Sequence, residues 1–290
     1  MQADYRFQRT MPRMIVDVHS HVFPPAMIAR REELARADAG FAELYGDARA
    51  RMASAAELIA SMDGAGVDRA VAVGFWWREP GHGEEHAEYL LSAAAKAGGR
   101  LLPFVPIAFE DGGARTRARD YAAAGARGLG EVRPGDRDED EAAAWLAEVT
   151  EGLELPLLVH ASEPVGHAYG GKGGGFTPGG LWRLLEAARL RVIAGHWGGG
   201  FPFFALMPEV RALLAEGRLA FDSAASALLY EPRVFAAVAE LVGPELVMWG
   251  SDYPLRTQDR DLAEARAAVA DPALREALLG GNAARFLGLG

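Results

Sequence analysis

His19 and His21 stand one residue apart in "IVDVHSHVFPP", at the end of an apolar run. Side chains alternate faces along an extended strand, so residues two apart point the same way, and two such imidazoles can converge on one cation. A pair is not yet a site. Other ligand-type residues hold comparable places: His160 in "LPLLVHAS", His196 in "RVIAGHWGGG", Asp252 in "LVMWGSDYP" and Glu131 in "RGLGEVRP". Taken singly, each has a plain structural account, since a strand-end histidine can satisfy a core hydrogen bond and an aspartate before Tyr-Pro can cap a turn. Four histidines and two carboxylates, all at the ends of apolar runs, point jointly to a metal site. The chain has no cysteine, so any transition metal must be held by imidazole and carboxylate groups. That donor set suits zinc, as one or two ions, with manganese or iron as replacements.

What must carry these residues is a set of short strands. Apolar runs recur at 15–19, 67–74, 101–107, 128–132, 155–160, 192–196, 219–221 and 246–249, and most read as buried strands. Alanine-rich stretches with helical periodicity lie between them, as at 55–63, 84–97, 142–151, 181–190 and 234–242. Strand followed by helix, repeated eight times, predicts an α/β fold, a (β/α)8 TIM barrel, better than an open doubly wound sheet. The strand ends of such a barrel gather at one mouth and would bring the six residues together.

A chain of 290 residues, half of them hydrophobic, can form one barrel-sized domain. No linker divides it, so a single domain over 1–290 is expected, with 1–13 as a flexible N-terminal extension. Long loops at the active-site face are expected at 22–51 and 75–86, and the glycine cluster 170–175 reads as a mobile loop. Phe75, Trp76 and Trp77 serve equally well as pocket lining or as loop packing. The formal net charge of −10 disfavours nucleic acid, because phosphate contacts need clustered Lys and Arg. No segment approaches the length of a membrane span or a signal peptide, and a cytoplasmic location is expected. A small-molecule substrate and a homodimer are the default partners.

Arg133 and Arg256 follow strand ends and could pair with a substrate carboxylate. Lys172, on the glycine-rich loop, could close over an anionic group. Each also reads as an internal ion pair or a solvated side chain. Trp197 either packs beside the site or belongs to the core. His82, His86 and His167 lie in loops and read as surface residues or as neighbours of the site, with His167 placed best to approach the pocket.

The motifs "DVHSH", "LLVHAS", "GHWGGGFPFF", "WGSDYP" and "GGNAARFLGL" span nearly the whole chain. In order and spacing they resemble the amidohydrolase superfamily, in particular the amidohydrolase-2 group that includes aminocarboxymuconate-semialdehyde decarboxylase-like enzymes. The resemblance implies that His19, His21 and Asp252 ligate a first metal and that His160 ligates as well. His196 would bind a second metal or, beside one metal, act on substrate as acid or base. Glu131 resembles the bridging ligand of TatD-like hydrolases; the alternative for it is a salt bridge with Arg133, leaving one ion. The leading expectation is hydrolysis of a small, carboxylated amide, lactone or ester. In it the ion brings the pKa of water from about 15.7 toward roughly 7, and Asp252 carries the proton to the leaving group. The alternative is non-hydrolytic decarboxylation of a small carboxylic acid, and a catalytically silent metal-binding barrel is a third reading.

Overall fold

The computed structural model describes residues 14–289; the expected N-terminal extension, 1–13, lies outside them. Eight parallel strands pair in sequence order: β1 (Val16–His21), β2 (Arg69–Val73), β3 (Leu101–Val105), β4 (Gly128–Val132), β5 (Leu157–Val159), β6 (Val192–Ala194), β7 (Leu219–Asp222) and β8 (Val247–Met248). The last returns to the first, where the Val18 N–H donates to the Trp249 carbonyl at 3.1 Å. Helices follow the strands, and the (β/α)8 barrel expected from the strand–helix repeat is what forms.

Two apolar layers hold it together. Val16, Val18, Val71, Val73, Phe104, Leu158, Ile193 and Met248 fill the barrel interior, and Ala283, Ala284 and Leu287 of the last helix, Asn282–Leu287, join this layer. The alternate residues of the same strands pack outward against the helices. Strand β4 presents glycine inward because Phe104 already occupies that space: a Cβ at Gly128 would lie 2.4 Å from its ring. Bulky residues from neighbouring strands thus interdigitate with small ones, as a barrel of this size requires.

The register breaks at two places, between Asp17 and Ser20 in β1 and between Leu129 and Val132 in β4. Such irregularities shift the alternation of faces by one residue. In β1, Val16 before the break and Val18 within it belong to the interior, whereas His19 and His21 turn toward the mouth. The break in β4 does the same for Glu131.

The segment after β1 is less a loop than three short helices, Pro25–Ala29, Arg31–Ala37 and Ala39–Tyr45. They close over an aromatic cluster of Phe23, Phe41, Phe75 and Trp77, in which Phe41 stacks on Trp77 at 4.9 Å. His86, read above as a surface residue or a neighbour of the site, is fully buried beside this cluster. Its Nε2–H donates to the Val22 carbonyl at 2.6 Å, and its Nδ1 accepts from Trp77 Nε1 at 3.0 Å. Among the described residues no helix is long and apolar enough to cross a membrane.

Candidate metal centre

His19, His21, Glu131, His160, His196 and Asp252 meet at the mouth, every one of them buried. His19 Nε2 lies 3.1 Å from His21 Nε2, and His196 Nε2 lies 3.1 Å from His160 Nδ1. Glu131 joins the histidines, with Oε1 2.9 Å from His160 Nδ1, 3.5 Å from His19 Nε2 and 3.6 Å from His196 Nε2. Asp252 Oδ1 is 3.4 Å from His21 Nε2 and 3.8 Å from His19 Nε2. Two triads, His19–Glu131–His196 and His19–His21–Asp252, each offer donor atoms within 4.8 Å of one another.

The hydrogen bonds behind the rings show what the inward atoms want. His19 Nδ1 meets Asp222 Oδ2 at 2.9 Å, His160 Nε2 meets the Gly171 carbonyl at 2.9 Å, and His196 Nδ1 meets the Ala224 carbonyl at 3.1 Å. Each outer partner only accepts, so each outer nitrogen carries the hydrogen, and a neutral ring then turns a lone pair inward. For His19, His160 and His196 these lone pairs face one another and the Glu131 carboxylate, whereas His21, whose Nδ1 has no partner among the described residues, turns Nε2 toward Asp252. A cation among them satisfies all of them at once, so the residues present fit a divalent metal.

The electrostatics agree. Burial pushes His19 down, but Asp222, Glu131 and Asp252 outweigh it and lift the group to about 10. Burial works against the Glu131 carboxylate too, and the surrounding histidines, His160 and His19 foremost, nonetheless hold it well below the usual range. Asp252 is likewise held low against burial, chiefly by its hydrogen bond with His21. For His160, burial together with the Arg133 guanidinium brings the group down to about 4. The carboxylates thus favour positive charge at His19 and His196, while burial and Arg133 disfavour it at His160.

Backbone shape contributes. Among the described residues the non-glycine positions with positive φ are His196, Trp197, Ala225 and Asp252, which gather at the mouth. From His196 to Gly200 the chain runs left-handed, with φ between 54° and 90°. At Gly199 this turn brings the backbone so near Ser162 that a Cβ would sit 2.7 Å from its carbonyl carbon. The glycines of "HWGGGF" thus allow His196 to leave its strand sharply.

Above the cluster lies a cavity of about 460 Å³, within the range of small-ligand sites. Tyr45, Phe75, Trp76 and Leu228 form apolar wall, and Arg133 and His167 line it as well. Phe75 and Trp76 thus serve the pocket, whereas Trp77 serves loop packing. Arg133 faces the cavity and also pins the glycine-rich loop, donating from Nη2 to Gly171 O at 3.2 Å and Gly173 O at 2.8 Å; the described residues show no Arg133–Glu131 ion pair.

Three expected substrate contacts lie elsewhere. Arg256 is buried in an ion pair with Asp261 at 2.7 Å and with Glu264, away from the cavity lining. Lys172 pairs with Glu163 at 3.3 Å and donates to the carbonyls of Val165 and His167. Trp197 has no exposed surface and donates from Nε1 to Ser226 Oγ at 3.0 Å, so core packing is the account that holds for it. Sequence reasoning passed over Asp222, the residue behind His19. Its one signal was a carboxylate directly after the apolar run "LAF", where Asp-Ser reads as the start of a turn.

With the geometry established, the protein can be set beside known ones. The family model described as Amidohydrolase matches residues 16–289. No curated protein matches the sequence significantly. Among solved structures, 5-carboxyvanillate decarboxylase from Sphingomonas paucimobilis superposes with a TM-score of 0.75 at 20% identity, covering 96% of this chain and 99% of that one. Dihydroxybenzoic acid decarboxylase from Polaromonas sp. JS666, with bound manganese and 2-nitroresorcinol, gives 0.71 at 16% identity, covering 95% and 97%. A candidate 2-pyrone-4,6-dicarboxylic acid hydrolase from Pseudomonas putida gives 0.65 at 19% identity, covering 96% and 98%.

Proposed function

Because the chain belongs to the amidohydrolase family, we propose that it is a metal-dependent enzyme that removes a carboxyl group from a small organic acid. The observation that carries this reading is the cavity itself: imidazoles and carboxylates able to hold a divalent cation at the floor, a guanidinium beside them, and apolar wall around both. His19, His21, Glu131, His160 and Asp252 would hold the ion. When bound, it supplies Lewis-acid polarisation and an anchor for anionic oxygens of the substrate. Manganese, present in the Polaromonas enzyme, stands beside zinc as the ion to test.

Arg133 orients the substrate carboxylate through charge-assisted hydrogen bonds. Loss of CO2 discharges that carboxylate, so the apolar walls at Tyr45, Phe75 and Leu228 favour the step by excluding water. The carbon–carbon bond breaks with its electron pair left on the ring or chain carbon. His196 then delivers a proton to that carbon; burial pushes its pKa down, but Glu131 and Asp252 lift it above its ordinary value. Asp252, ionised, serves as the matching base by taking a proton from solvent and passing it to His196, which restores the acid for the next turnover.

Hydrolysis is the second reading, favoured by that same ionised Asp252 beside His21 and by the fold shared with the pyrone hydrolase candidate. There Asp252 takes a proton from the attacking water and returns it to the leaving group, while His196 polarises the scissile carbonyl. Assays of hydroxybenzoates and pyrone carboxylates in ¹⁸O-water separate the two. Release of CO2 with no label in the organic product is the expected result; label in that product would move the assignment to hydrolysis.

A further inference from the structure

Asp222 ends β7, is fully buried, and spreads its two oxygens over two other strands. Oδ2 takes the ring of His19, from β1, at 2.9 Å. Oδ1 accepts the backbone N–H of His196, just past β6, at 2.9 Å and that of Ala224 at 3.0 Å. The Ala224 carbonyl in turn faces His196 Nδ1 at 3.1 Å. One carboxylate therefore stands behind two of the clustered histidines, reaching His19 directly and His196 both through its backbone and through Ala224.

We propose that Asp222 is a positioning residue that sets the ring tautomer of His19 and the pose of His196, and through them the affinity of the mouth for a divalent ion. The inference rests on the metal reading of the mouth given above. A carboxylate has only acceptors, so when His19 gives up its second proton to a bound ion it keeps the other on Nδ1 and shows its lone pair at Nε2. His196 sits at φ 54°, a conformation that a non-glycine residue holds only when its surroundings over-determine it; the bond from its N–H to Asp222 is part of that restraint.

Asparagine has the same shape and separates the two roles. In Asp222→Asn the amide oxygen can still accept from His196 N and Ala224 N, so the backbone stays capped. The amide NH2 then faces His19 Nδ1 and can only donate. His19 must move its hydrogen to Nε2, which points a proton where an ion would bind.

The test titrates metal-free wild type and Asp222→Asn with Zn2+ alone, and separately with Mn2+ alone, against a competing chelator. Thermal unfolding of the metal-free proteins and ¹⁵N spectra of histidine-labelled protein accompany it. The expected result is an affinity about 10- to 100-fold weaker, with the metal-free variant still unfolding cooperatively and one histidine changing its protonated nitrogen. Equal affinity in a folded variant overturns the proposal. If the variant does not fold, zinc-loaded wild type decides: His19 bound through Nε2 with Nδ1 protonated supports the proposal, and His19 bound through Nδ1 overturns it. Wild type that binds neither ion would overturn the metal reading itself, an outcome distinct from equal binding by both proteins.

Discussion

His19 and His86 are equally buried, both with no exposed surface, yet they are driven in opposite directions. Burial pushes each imidazole down. At the mouth three carboxylates overcome that push and take His19 to about 10. In the aromatic clamp under the first long loop, the Val22 carbonyl offsets burial only in part, and His86 falls to about 4. There Nδ1 accepts from the Trp77 indole and from the Phe75 N–H at 3.4 Å, so it has no room for a second proton. One histidine region is built to attract positive charge and the other to exclude it. Burial of a histidine therefore says little about its work; the charge and hydrogen-bonding sense of its neighbours decide.

The widest separation between the regions is in catalysis. Asp252→Asn is expected to lower turnover of the metal-loaded enzyme by about 10²- to 10⁴-fold, the usual range for a lost acid–base group, while the fold is kept and the ion is held less tightly for want of one ligand. His86→Phe, by contrast, should retain turnover per folded molecule and the same response to chelation. Near-wild-type rates for the Asp252 variant, measured with metal content confirmed, would remove Asp252 as the proton carrier.

Stability against pH draws the next line, and it applies to metal-free protein. The unfolded chain protonates His86 near pH 6.5, whereas the folded chain does so only near 4. Between those values the unfolded state binds more protons, so stability is complete above 6.5 and is lost as the pH falls. His86 alone accounts for roughly 3 kcal/mol of that loss, and His160, also brought to about 4, adds in the same direction. His19 acts with opposite sign: its folded value is raised, so its contribution is present below 6.5 and is lost as the pH climbs toward 10. Urea unfolding from pH 4 to 10 should give a maximum near neutrality. Loading with zinc should abolish the alkaline decline, and His86→Phe should lessen the acid decline. An alkaline decline that survives zinc would break the link between His19 and the metal.

The smallest effect is expected at Lys172, which belongs to neither region. Its partly exposed pair with Glu163 should contribute less than about 1 kcal/mol. In Lys172→Ala, denaturant midpoint and KM should both stay close to wild type; a KM raised tenfold would return the residue to the pocket.

Much of the barrel was legible because a strand buried on both faces must be apolar along its length, and all eight runs read that way do form strands. The six clustered residues were legible for a related reason: a charged or ligand-type side chain that interrupts such a run at its end has few places to go but the mouth. Arg256 has the same surface logic and goes elsewhere, because Asp261 and Glu264 lie on the helix Gln258–Ala268 directly after it. Following a strand end is thus a weaker signal than closing one. His86 misled because its stretch is polar, and only the helices packed over Phe23 and Phe41 bury it.

Residue types and their order along the chain thus determined the barrel, the donor chemistry at its mouth and the absence of thiolate ligands, since each follows from local pattern and composition. Alternation along a strand could say that His19 and His21 share a face, but not which face. The register breaks in β1 and β4 decide that, and they arise from how neighbouring strands pair. Nor could local pattern join Asp222 to His19, 203 residues away in sequence. A carboxylate acquires that role only when barrel closure sets β7 behind β1, where one oxygen meets a ring N–H and the other two backbone N–H groups.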